Sequence, residues 1–139
     1  MARTGGCICG AVRYEAEGGP GFGACHCGTC RRWASGPFMA MQVESLRLVQ
    51  GEDQVRTYKS SDWATRSFCG VCGSNLWYRL EGAEPRKGYF LSVGTLDDQS
   101  GLSLDEEVFS DHKPESYDFF RQASRKVTET ELFAQFGQG

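Results

Sequence analysis

The sequence predicts a mainly β fold of short antiparallel strands, with one short helix at the C-terminus. Three observations carry the prediction. Apolar residues alternate with polar ones at a period of two, turn-forming residues punctuate the chain at short intervals, and seven cysteines fall into three tight clusters. The first two are the signature of many short strands. The third supplies what a small β domain needs to hold such strands together.

Taken in order, Val12, Tyr14 and Ala16 alternate with Arg13, Glu15 and Glu17, so a half-buried strand runs out of the first cysteine pair. Gly18-Gly19-Pro20-Gly21 breaks it as a turn. Phe38 to Val43 and Leu46 to Val49 read as two short strands, and Val55–Tyr58, Arg66–Phe68, Leu76–Leu80 and Tyr89–Val93 continue the series. Turn formers such as Gly51-Glu52-Asp53, Ser60-Ser61-Asp62 and Glu81-Gly82-Ala83 separate them. The expected helix begins at Thr128, where Glu131 three residues on completes a capping box. Leu132, Phe133 and Phe136 give that helix an apolar face.

The chain of 139 residues has the length of one domain, 1–139, with no repeat or linker to divide it. Its net charge of −3 argues against binding nucleic acid, which normally calls for a basic excess. No apolar run resembles a signal peptide or approaches the roughly 18 residues of a spanning helix. A soluble, cytoplasmic protein with no membrane partner is therefore expected. A reducing compartment, an odd cysteine count and tight clustering all disfavour a disulfide framework.

The clusters instead have metal-ligand spacing. On an extended segment, Cys7 and Cys9 point to one face. Cys69-Gly70-Val71-Cys72-Gly73 is a tight knuckle in which Gly73 permits a left-handed backbone. Thiolates are soft ligands that suit zinc, which takes four of them in a tetrahedron. Two pairs, Cys7/Cys9 and Cys69/Cys72, complete one four-sulfur site. Cys25, Cys27 and Cys30 remain as a compact trio. A closed site is structural, whereas three protein ligands leave a position for water or substrate. Spacing thus suggests two zinc ions per chain, one structural and one open. Two other readings stay open: Cys69 and Cys72 as a redox pair, or two structural sites with His26 or His112 as the missing ligand. His26, between two proposed ligands, would turn its ring away from theirs.

The ordered set of these segments resembles the glutathione-dependent formaldehyde-activating enzymes. The likeness spans about residues 5 to 117. It rests on Gly6-Cys7-Ile8-Cys9-Gly10-Ala11-Val12-Arg13-Tyr14, Cys25-His26-Cys27-Gly28-Thr29-Cys30-Arg31, Gly36-Pro37-Phe38, Arg66 to Ser74, and Val93-Gly94-Thr95-Leu96-Asp97. The resemblance implies a zinc-stapled β-tent with Cys7, Cys9, Cys69 and Cys72 as structural ligands and Cys25, Cys27 and Cys30 as the catalytic-type site. It also implies a carbon–sulfur lyase that makes or breaks S-hydroxymethylglutathione, with a small-molecule thiol such as glutathione as its partner. A non-catalytic zinc-stabilised module that binds a protein is the alternative.

Three cysteinates with Zn²⁺ carry a formal −1, which nearby cations would offset. Arg31 and Arg32 follow Cys30, and Arg66 stands three residues before Cys69. Arginine forks also fit the two carboxylates of glutathione, which makes Arg31 and Arg32 the substrate-binding candidates. Each could equally be an ordinary surface arginine. Trp33, Phe38 and Trp77 are candidates for a pocket wall or for the core. His112 and Asp111, and more weakly Tyr117, are candidate acid–base groups, none with a catalytic assignment.

Overall fold

The computed structural model describes residues 2–81 and 88–118, together with Thr130, Glu131 and Ala134. Strand β1 (Ala2–Gly6) is followed by β2 (Arg13–Gly18) and β3 (Gly21–Cys25), then helix α1 (Gly28–Ala34). Strands β4 (Phe38–Gln50), β5 (Val55–Ser61), β6 (Ala64–Cys69), β7 (Asn75–Leu80), β8 (Gly88–Ser92) and β9 (Ser103–Val108) complete the described elements. The main path of the sheet runs β1-β2-β4-β8-β7-β6-β5, antiparallel throughout. Strand β3 joins the start of β4, and β9 lies parallel to β3. The fold is mainly antiparallel β, as expected, with that one parallel pair as the exception.

In β2 the period of two holds. Val12, Tyr14 and Ala16 are buried, and Glu15 and Glu17 face outward. The two strands expected over residues 38–49 are instead one strand of 13 residues. Its beginning pairs with β3, its middle with β8, and its end with β2. The apparent break is a bulge: Glu17 faces Ser45 and Gly18 faces Val43, which leaves Glu44 as the extra residue. At that point the strand passes from β8 to β2 as its partner.

Strands β1, β3 and β9 were not expected. The first two are glycine-rich and the third is acidic, so propensity is against all three and pairing with neighbours decides. At Gly5 of β1 a Cβ would collide with the Tyr14 hydroxyl and the Thr95 carbonyl. That hydroxyl, deep in the core, meets Thr95 Oγ1 at 2.6 Å. The helix α1 was also unexpected. It occupies the second cysteine cluster, whereas the expected C-terminal helix falls mostly outside the described residues, with Thr130, Glu131 and Ala134 helical. No helix among the described residues is long and apolar enough to cross a membrane.

The core forms two groups. One gathers Val12, Tyr14, Met41, Leu76, Trp77 and Leu91 and includes Cys7 and Cys69. The other gathers Phe38, Ala40 and Phe90 around Cys25 and Cys30, with Trp33, Tyr78 and Val108 against it. Each apolar group therefore ends on one cysteine cluster.

Candidate metal centres and an adjoining cleft

The first centre is built by two turns brought together across the sheet. In one, Val12 N–H donates to Cys7 Sγ at 3.3 Å and Gly10 N–H closes on the Cys7 carbonyl at 3.2 Å. In the other, Gly73 takes φ 81° and donates its N–H to the Cys69 carbonyl at 2.8 Å. Gly73 thus supplies the left-handed residue expected of it. Ser74 ties the two turns: Ile8 N–H donates to its hydroxyl at 3.0 Å, and the hydroxyl lies 3.2 Å from Cys72 Sγ. That hydroxyl and the Ser74 backbone hold the Cys72 thiol down to about 5.

The sulfurs of Cys7, Cys9, Cys69 and Cys72 all lie within 4.8 Å of one another. Cys7 and Cys9 are 3.6 Å apart and Cys9 and Cys69 3.9 Å. Zinc–sulfur bonds of about 2.3 Å in a tetrahedron place sulfurs about 3.8 Å apart. The four cysteines could therefore hold a zinc ion with little movement. Because Cys7 and Cys9 complete the group, Cys69 and Cys72 do not stand as an isolated pair.

The second centre lies where β3 runs into α1. Cys25 ends the strand, Cys27 is the N-cap, and Cys30 sits in the first turn with its N–H 3.4 Å from Cys27 Sγ. Their three sulfurs also lie within 4.8 Å of one another. Among the described residues no histidine or carboxylate joins either group. The His26 ring turns away, as the alternation predicts, but it is fully buried. Its Nε2 lies 2.7 Å from the Glu107 carboxylate and its Nδ1 2.9 Å from the Tyr117 hydroxyl. With His26 N–H on the Val108 carbonyl at 2.9 Å, the cysteine turn is held to β9 on its far side.

Arg66 completes this centre. It lies on β6, three residues before Cys69, and an odd offset on a strand puts the two on opposite faces. Cys69 therefore serves one centre and Arg66 the other. The Arg66 guanidinium donates to Cys30 Sγ at 3.4 Å and to Ser60 Oγ at 3.2 Å. It lies over the rings of Trp33 and Tyr78, at 5.1 and 5.2 Å from their centroids. No carboxylate among the described residues pairs with it. The Cys25 thiol and Arg66 together outweigh burial and hold Cys30 down to about 6, while pairing with Cys30 and burial push Cys25 up.

The trio opens on a cleft of about 630 Å³, to which Thr29, Ser60, Arg66 and Asp111 present polar groups. Its remaining wall includes Trp63, Tyr78, Leu80 and Phe109. Arg32 is exposed and borders an adjoining groove with Arg66, Trp33 and Tyr58, while half-buried Arg31 borders neither space. Trp77 and Phe38 are core, and Trp33 packs on Phe38. Asp111 borders the cleft, and His112 stands beside it, its ring tilted against Phe109 at 51°. Tyr117 supports His26. Sequence reasoning passed over Trp63, Phe109 and Glu107, which lie in turns or an acidic strand. The one legible signal was a tryptophan directly after the expected Ser60-Ser61-Asp62 turn.

Fold and site together define a class: a mainly antiparallel β protein with two cysteine clusters able to hold soft metal ions, one of them open to a cleft. The profile of the glutathione-dependent formaldehyde-activating enzymes matches residues 2–112. The chain belongs to that family. A Schizosaccharomyces pombe (strain 972) protein, named an uncharacterized lyase, is 35% identical over 122 residues, or 86% of this chain and 87% of its own. A crystal structure of a Rhodobacter sphaeroides protein superimposes with a TM-score of 0.59 over 76% of this chain and 99% of its own, at 24% identity. That likeness shows the fold.

Proposed function

We propose that this protein is a zinc-dependent carbon–sulfur lyase-type enzyme acting on glutathione–aldehyde adducts. In this reading Cys7, Cys9, Cys69 and Cys72 hold a structural zinc, and Cys25, Cys27 and Cys30 hold a second. The observation that carries it is the open trio at a cleft, with a buried guanidinium on Cys30. The family match and the lyase-named relative support the reaction class.

When bound, the second zinc supplies an open coordination position and a charge that favours a thiolate. The protein's residues do the rest. Arg66 fixes the orientation of Cys30 and adds one positive charge to a centre that is otherwise formally −1. Locked between two rings and the Ser60 hydroxyl, it does so without reorganising. Arg32, exposed along the adjoining groove, is the cation we assign to a glutathione carboxylate.

In the forming direction a sulfur–carbon bond is made to the aldehyde carbon, and the thiol proton ends on the carbonyl oxygen. In the cleaving direction that bond breaks and the hydroxyl proton returns to sulfur. We assign this proton to Asp111, which lines the cleft and whose exposed carboxylate lies 3.6 Å from His112 Nε2. The test is to count zinc per chain and titrate glutathione into cobalt-substituted protein. Two ions, one of which changes its absorption with glutathione, are expected. Two ions that both ignore glutathione would favour a module whose metals only hold the fold.

A further inference from the structure

We infer that the carbonyl partner in this cleft is larger than formaldehyde: the site is built for the glutathione adduct of an aldehyde that carries an apolar alkyl or aryl group. This rests on the lyase reading above and adds to it the class of substrate. The lining of the cleft is of two kinds. The trio, Thr29, Ser60, Ser61, Arg66 and Asp111 are polar; Trp63, Ala64, Tyr78, Leu80, Val108 and Phe109 are apolar.

Two residues of the apolar lining are out of place for a soluble surface. Trp63 is 63% exposed and Phe109 49% exposed. They come from separate elements, the hairpin tip between β5 and β6 and the end of β9, yet both border the same cleft. Scattered single exposed aromatics need no explanation, but two that converge beside a reactive centre do. Phe109 is also held at φ 56°, ψ 45°, a left-handed conformation in which a bulky residue is a genuine outlier. Such outliers persist where the surroundings over-determine them, often at ligand clamps. Here the Phe109 ring is kept against His112, with centroids 5.2 Å apart.

The chemistry of the occupant follows from what this wall can satisfy. Glutathione itself is polar, with two carboxylates, an amine and two amides, and its groups match the polar lining. Pressed against Trp63 and Leu80, its amides would lose water without gaining partners. A hydroxymethyl group ends at its oxygen, one atom beyond the carbon on sulfur, and leaves the wall bare. An apolar substituent on that same carbon is the group for which Trp63, Leu80 and Phe109 offer cover within the same cleft. On cleavage the sulfur–carbon bond breaks, the hydroxyl proton passes to sulfur, and the larger aldehyde leaves with no change of oxidation state.

The test uses S-alkyl glutathiones of increasing length, S-methyl to S-hexyl, titrated calorimetrically into zinc-loaded protein. Affinity is expected to rise about fourfold for each methylene that the wall covers fully, and by at least about tenfold across the series. Trp63→Ala should flatten this slope with zinc content unchanged, and Trp63→Leu should restore part of it. In turnover, adducts of alkyl or aryl aldehydes should exceed the formaldehyde adduct in kcat/KM. A flat series in the wild type, or a slope that survives Trp63→Ala, overturns the inference while leaving the lyase reading intact. If neither glutathione nor any analogue binds, both fall together.

Discussion

Replacing Arg66 by Met tests the electrostatics of the three-cysteine centre most directly. Met keeps an unbranched apolar stem between Trp33 and Tyr78 but removes the charge and the donors to Cys30 and Ser60. With Arg66 present, three cysteinates, a divalent ion and one guanidinium sum to zero. Without it the centre is −1, and an incoming thiolate takes it to −2. At an effective dielectric of about 20, two unit charges roughly 6 Å apart interact by about 3 kcal/mol. Thiolate affinity should therefore fall by about a hundredfold. Losing a charged hydrogen bond on a buried sulfur also lowers stability by about 1.5–3 kcal/mol. The assay is glutathione titration of the cobalt-substituted protein, read in the sulfur-to-metal absorption, with the melting temperature followed in parallel. Arg66→Lys keeps the charge but lacks the fork that serves Cys30 and Ser60 together, so it should recover part of the affinity. If the Met variant binds glutathione as the wild type does, Arg66 contributes nothing to the charge balance and the argument fails.

Four further outcomes are expected. Cys7→Ser or Cys69→Ser should lose zinc and gross structure, since metal affinity there is folding energy; circular dichroism and zinc content check this, and a wild-type melt refutes the ligand assignment. Cys27→Ser should stay folded with about one zinc instead of two and no thiol-dependent activity; complete unfolding would make the trio structural as well. Arg32→Gln should weaken glutathione binding only a few-fold, because the side chain is exposed, and Arg31→Gln should leave it unchanged. An equal loss from both would place Arg31 in the site after all. Tyr117→Phe removes one hydrogen bond to buried His26 and should lower the melting temperature by about 3–4 °C, a loss of about 1 kcal/mol, with zinc content unchanged.

The parts of this protein that local chemistry specifies were legible without a structure. Alternation buried Val12, Tyr14 and Ala16, and the need for a left-handed residue put Gly73 after the Cys69–Cys72 turn. The spacing of seven cysteines sorted them into a four and a three, because ligand geometry is set over two or three residues. Partnership across the chain was not legible. Strands β1, β3 and β9 have glycine or acidic residues that local propensity counts against, and only the neighbouring strands supply their hydrogen bonds. The bulge at Glu44 reads as a break until both partners of β4 are known. Proximity in sequence pointed to Arg31 and Arg32 beside Cys30. The guanidinium that reaches that sulfur is Arg66, thirty-six residues away, because strand geometry turns it to the face opposite Cys69. Trp63 and Phe109 border one cleft because strand pairing brings the β5–β6 turn and the end of β9 to the same place, and no local pattern of residues encodes that.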